Sequence, residues 1–168
     1  VFRRHGGEEV CAYVPTGGFI QTVQHDQHLP TIGRRTSQVV HKHAAILLSD
    51  ENVLIAGGSN DDGWHEQKSA EIYNVKNRTF LPIADMEGAR FKFPQLLIML
   101  KDGRVAVCGG NKQIEIYSPA EKSFKTAAQF DEARYFSTAT LLSDESILIT
   151  GGYNRKPQST NQVWLLRT

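Results

Sequence analysis

Two cysteines in 168 residues are too few for a disulfide framework. Cys11 and Cys108 each lie in an apolar run, VCAYV and VAVCGG, where a thiol serves as a small buried hydrophobe. A dominant charge is also missing: 19 Lys and Arg stand against 18 Asp and Glu, a net charge of +1, with no block of like charges. That balance leaves no electrostatic footprint for nucleic acid and no charged disordered tail. No apolar run approaches the roughly 20 residues of a membrane-crossing helix. The first ten residues, VFRRHGGEEV, hold no apolar core of a signal peptide. The expectation is a soluble chain whose partners include neither nucleic acid nor membrane, with its compartment open. Val1 in place of an initiating Met implies processing or excision from something longer. The chain is long enough to bury about two thirds of its unfolded surface.

Catalytic signatures are equally scarce. No helical period of useful length appears. Glycine pairs end apolar strands without a following helix or Lys-Ser/Thr, so no phosphate loop is formed. There is no Gly-x-Ser-x-Gly elbow.

Repetition, by contrast, is abundant. LLSDENVLIAGG (47–58), MLKDGRVAVCGG (99–110) and LLSDESILITGG (141–152) are variants of one twelve-residue element. Their second glycines, Gly58, Gly110 and Gly152, are 52 and 42 residues apart, and a weaker pair, Gly6-Gly7, ends 51 residues before Gly58. Periods of about 40–50 residues fit one propeller blade.

Each unit reads as four short strands, a to d. Strand a is HAAILL and strand b is NVLIAGG. Both are near-continuous apolar runs suited to a sheet covered on both faces. The Asp-Gly at 102–103 is a strong hairpin signal, and SDEN and SDES serve the same turn with less suitable residues. The glycine pair suits backbone that passes close to a neighbour or takes positive φ. Strand c carries an aromatic, in AEIYNV (70–75), IEIYSP (114–119) and QVWLLR (162–167). Strand d is led by Phe in NRTFLPIA (77–84) and EKSFKTAA (121–128), with VCAYVPTGGFIQTV as a degenerate c–d pair near the amino end. An arginine-bearing loop comes after each: GRRTS (33–37), GARF (88–91) and EARYF (132–136).

These residues resemble kelch repeats, in the form common in bacterial proteins and galactose-oxidase-like propellers. HAAILLSDENVLIAGG and SAEIYN carry the resemblance best. It covers residues 40–168 well and 1–39 weakly. Phe80 and Phe124 depart from it, since kelch units usually carry Trp there. The resemblance implies an all-β fold of about 3.5–4 four-stranded antiparallel blades in one domain spanning 1–168. The blades would comprise an incomplete b-c-d unit (1–39), two full units (40–91 and 92–135) and an incomplete a-b-c unit (136–168). These fourteen strands do not close in the usual way, within one blade shared by the chain ends. Self-association, or a missing partner segment, is expected to cover the open edges.

In kelch propellers the b–c and d–a loops crowd one face, the usual binding surface. Carried over by position, the b–c loops are 59–68, 111–113 and 153–160. The candidate binding residues are Trp64, His65, Asp61 and Asp62 in the first of these, with Arg34, Arg35, Arg90 and Arg134 from the d–a loops. Exposed Trp and Arg are typical interface anchors, and Arg grips carboxylates or phosphates through paired bonds. Trp64 serves equally as a lid over the channel, whereas any one arginine, recurring in register, is better read as a scaffold residue bonding neighbouring backbone. His41 and His43, two apart on a strand, share one face as metal ligands can, but His43 stands at the recurring repeat position. NDDG (60–63) lacks the spacing of a calcium loop. No metal and no cofactor are expected. The expected function is a non-catalytic binding module recognising a protein or a glycan through the loop face. The alternative is a carbohydrate-active enzyme, oxidase or mutarotase-like, or a fragment of one, with its site in the central channel.

Overall fold

The Asp of each twelve-residue element builds the same turn three times. In the computed structural model, which describes residues 41–60 and 65–168, the carboxylates of Asp50, Asp102 and Asp144 accept the backbone N–H of Asn52, Arg104 and Ser146 at 3.1, 3.0 and 3.1 Å. These are Asx turns, in which the side chain stands in for a backbone acceptor. The next residue takes a left-handed conformation in each: Glu51 at φ 66°, Gly103 at 85° and Glu145 at 68°. The glutamates therefore adopt the glycine geometry, at a cost of about 1 kcal/mol each.

The turns join strands that pair into three antiparallel sheets. The first holds β1 (Ala44–Leu47), β2 (Val53–Ala56), β3 (Ala70–Asn74) and β4 (Thr79–Pro82) in sequential order. The second repeats that order with β5 (Leu97–Met99), β6 (Val105–Val107), β7 (Gln113–Ser118) and β8 (Ser123–Gln129). Among the described residues the third holds three strands, β9 (Thr138–Leu141), β10 (Ile147–Thr150) and β11 (Val163–Leu166), with β11 outermost. The a-b-c-d order read from the sequence is thus seen in residues 41–168. The b-c-d strands expected within 1–39 lie outside the described residues. No helix among the described residues is long and apolar enough to cross a membrane.

Two details depart from the expected alignment. The second sheet begins two residues late, after a turn at 93–96 in which Gln95 takes φ 59° and Leu96 N–H bonds Phe93 O at 3.2 Å. The third sheet's aromatic is also shifted. Glu71 pairs with Ile55 and Glu115 with Val107, each two residues before a glycine pair, whereas Trp164 pairs with Ile149. Trp164 therefore occupies the glutamate position, and Leu166, opposite Ile147, the tyrosine position.

The first strands of the sheets lie side by side, β1 against β5 and β5 against β9. Faces are set by register, since directly paired residues point to one side. The first sheet turns Ala44, Leu54, Ala56 and Ala70 toward the second, all buried. The second answers with Leu97, Val105, Val107 and Tyr117, and its other face buries Ala106, Cys108 and Ile114 against Ile147 and Ile149 of the third. Each such Val, Leu or Ile side chain contributes roughly 1.5–3 kcal/mol when it leaves water, and each alanine methyl less. The arrangement fits a propeller-like fold; the described residues show three sheets and no closed ring.

Candidate functional site

The second glycine of each pair fixes where the arginine loops lie. A β-carbon on Gly58, Gly110 or Gly152 would meet the carbonyl oxygen of His41, Phe91 or Tyr135 at 2.8, 2.7 and 2.7 Å, and all three glycines have positive φ. His41, Phe91 and Tyr135 are therefore equivalent, and Arg90 and Arg134 directly precede the last two. Arg34, Arg35, Asp61, Asp62 and Trp64 lie outside the described residues.

Arg90 turns inward and is fully buried. Its Nη1 donates to the carbonyls of Val107, Gly109 and Gln113 at 3.3, 2.9 and 3.2 Å, and its Nη2 pairs with Glu115. Glu115, also buried, accepts the N–H groups of Glu87 at 2.8 Å and Gly88 at 3.1 Å. Burial holds the Arg90 guanidinium below its ordinary pKa, and Glu115 pulls it back up. Arg134 is buried as well, with its guanidinium carbon 5.2 Å from the centroid of the Trp164 ring. Neither arginine is presented at the surface. Each locks the loop that carries it onto the following sheet.

Residues just past the arginines build the surface. Lys42, Lys92 and Phe136 are equivalent, and each takes a left-handed backbone, at φ 57°, 54° and 53°. They are also joined in series: Lys92 N–H donates to Lys42 O at 3.3 Å, and Phe136 N–H to Lys92 O at 3.0 Å. This geometry aligns their side chains at the loop end of the sheets. Among them an aromatic stack runs across three loops. Phe91 meets the Tyr135 ring edge-on at 5.4 Å, Tyr135 lies 6.0 Å from Tyr153, and Tyr153 lies 5.8 Å from Phe136. The Nζ of Lys92 stands 4.8 Å and that of Lys42 5.8 Å from the Phe91 centroid. Phe136 is 49% exposed.

Glu66 ties the first b–c loop to this stack. It accepts the Tyr135 hydroxyl at 3.1 Å and both bonds of Arg155 Nη2, at 3.1 and 3.2 Å. Burial, then the Glu66 charge, pushes the Tyr135 hydroxyl up to about 12, so it stays a donor at neutral pH. His65 is exposed beside it, with its N–H on Asn60 Oδ1 at 3.3 Å. Of the expected site residues, His65 thus sits at the rim, Arg90 and Arg134 beneath it. Burial raises the Cys108 thiol to about 12, which leaves it unreactive. Among the described residues no group of three or more His, Cys, Asp or Glu is placed to hold a metal.

In the sequence the stack is spread over the aromatics of GARF, EARYF and YNRK. The usable signal covers two of the rings, Phe91 directly after Arg90 and Tyr135 directly after Arg134. The chain matches no protein-family model and no curated protein.

Proposed function

We infer that the chain is a segment of a kelch-type β-propeller that acts as a non-catalytic binding module, recognising a protein through the face formed by its b–c and d–a loops. The observation that carries this reading is the aromatic stack ending in half-exposed Phe136, with Lys42, Lys92 and Arg155 around it. Ring faces beside cations are the groups that anchor protein partners. They bind acidic and apolar side chains and supply no nucleophile or poised base. The repeated sheet order and the contact between first strands support the propeller part of the reading.

Selection from a displayed peptide library, run beside a glycan array, tests it. Acidic, aromatic-rich peptides should be enriched, and Phe136→Ala should weaken their binding at least tenfold. Enrichment that is indifferent to Phe136→Ala, or binding confined to glycans, would sink the protein-binding reading.

A further inference from the structure

We propose that Glu66 is a built-in competitor at Arg155, occupying the place that an acidic side chain of the bound protein takes. The inference deepens the loop-face reading and rests on it in one respect, that the partner is an acidic protein segment.

The two halves of this contact are held differently. Glu66 stands on fixed backbone: it bridges Ser59, and the next residue, Gln67, bridges Arg90. Its side chain is 18% exposed and accepts the hydroxyl of buried Tyr135 at 3.1 Å. Arg155 projects from a turn in the third b–c loop. There Asn154 Oδ1 accepts the N–H groups of Lys156 at 2.9 Å and Gln158 at 3.1 Å. The turn fixes the backbone and leaves the guanidinium outside, with the Arg155 side chain 72% exposed. Tyr153, two residues earlier, is one of the stacked rings, so one loop carries both a ring and the cation.

The bonding pattern makes Glu66 a blocker of Arg155 and not its support. A guanidinium grips a carboxylate best through two nitrogens at once. It has two such forks, Nε with Nη2 and Nη1 with Nη2, and both use Nη2. Glu66 lies end-on, with its two oxygens 3.1 and 3.2 Å from that one nitrogen. The pair makes neither fork itself, and while it lasts an incoming carboxylate makes neither. Glu66 also cancels one of the positive charges that Lys42, Lys92 and Arg155 bring to the stack. Release is easy, because an exposed ion pair is weak. It does not orphan Glu66, since the Tyr135 hydroxyl, pushed up to about 12, goes on donating to it. A partner carboxylate that takes a fork of Arg155 thus replaces a one-nitrogen contact with a two-nitrogen one.

Fluorescence anisotropy of a labelled hexaglutamate peptide, in about 0.1 M salt, tests this as a double-mutant cycle. Glu66→Gln keeps an acceptor for Tyr135, so thermal unfolding should match the wild type, and it should tighten binding about three- to fivefold. In an Arg155→Ala background the same change should move affinity less than about twofold. Arg155→Lys keeps the charge, lacks the fork and should lose most of the gain. Asp131→Asn removes an equal charge from an exposed site in the loop before Arg134 and should change binding less than about twofold. The peptide has no ring, so this cycle is separate from the test of the loop-face reading by Phe136→Ala on selected peptides. Either result can fail while the other stands. Weaker binding by Glu66→Gln would make Glu66 a support for Arg155 and overturn the proposal. A gain that survives Arg155→Ala, or that Asp131→Asn matches, would be charge removal alone and would overturn it too, as would hexaglutamate that binds neither wild type nor Glu66→Gln.

Discussion

Arg90 and Arg134 occupy one position in consecutive repeats and are held there by different chemistry. Arg90 lies between two complete sheets, and its counter-ion is Glu115, on a central strand and as deeply buried as itself. Arg134 lies over the third sheet, which has three strands among the described residues. Trp164 stands where the glutamate would be and offers a ring face, and the same indole meets Phe130 edge-on at 5.0 Å. The carboxylate has moved to the loop, to half-exposed Glu132 at 3.6 Å. An arginine sealed on both sides needs a partner that is charged and fully hydrogen-bonded. The arginine over the three-stranded sheet is held by a ring, a solvated charge and the Gln162 side chain at 3.3 Å. The same contrast runs through the sheets as a whole, since the second buries both faces and the third only one.

The largest test of that contrast is removal of the two carboxylates. Glu115→Gln leaves an uncompensated buried guanidinium and two weakened backbone contacts, and should cost about 3–5 kcal/mol. Replacing Arg90 and Glu115 together with leucine should not recover that loss, because it orphans the carbonyls that Arg90 bonds and the N–H groups of Glu87 and Gly88 that Glu115 accepts. Glu132→Gln, at the equivalent arginine, should cost less than about 1 kcal/mol. Denaturant unfolding measures all three. Equal losses for Glu115→Gln and Glu132→Gln would erase the distinction between the two corners.

A smaller effect separates the faces. Ile114→Ala opens a cavity between two sheets and should cost about 2–4 kcal/mol. Val163→Ala changes the equivalent position on the open face and should fall within about 0.5 kcal/mol in dilute solution. A Val163→Ala loss as large as that of Ile114→Ala would erase the distinction between the two faces.

The sheets are legible in the sequence because strand length, turn residues and glycine pairs recur together, and a repeat makes each unit a check on the others. The turn at Asp50 and Glu51 can be read from Asp102 and Gly103 even though Glu51 is a poor residue for it. The site is less legible. An arginine in a polar loop reads as exposed, and only the glutamate inside the apolar run IEIY hints that Arg90 goes inward. The Phe91–Tyr135–Tyr153–Phe136 stack joins residues from different repeats, and sequence spacing cannot report which rings meet across loops. Trp164 is misaligned by sequence for a physical reason: an aromatic in strand c looks like the recurring tyrosine, yet both positions lie on one face, two residues apart, and either accommodates a ring.

The smallest test compares the two turns at the other end of these sheets. Gly103 and Glu145 both take positive φ, 85° and 68°, but only glycine does so without a steric penalty. Glu145→Gly should remove about 1 kcal/mol of backbone strain. It also removes an ion pair with Lys101 at 2.9 Å, in which both side chains are more than half exposed, so the loss is a few tenths of a kcal/mol at most. The Thr168 hydroxyl bonds the Glu145 carbonyl, which glycine keeps. Glycine in the unfolded chain has extra freedom and offsets part of the gain. The net expectation is a stabilisation of about 0.5 kcal/mol, read as a small rise in thermal midpoint that persists in high salt. Gly103→Glu should fall by more than that, because it imposes the strain on the turn of the sheet whose two faces are both sealed.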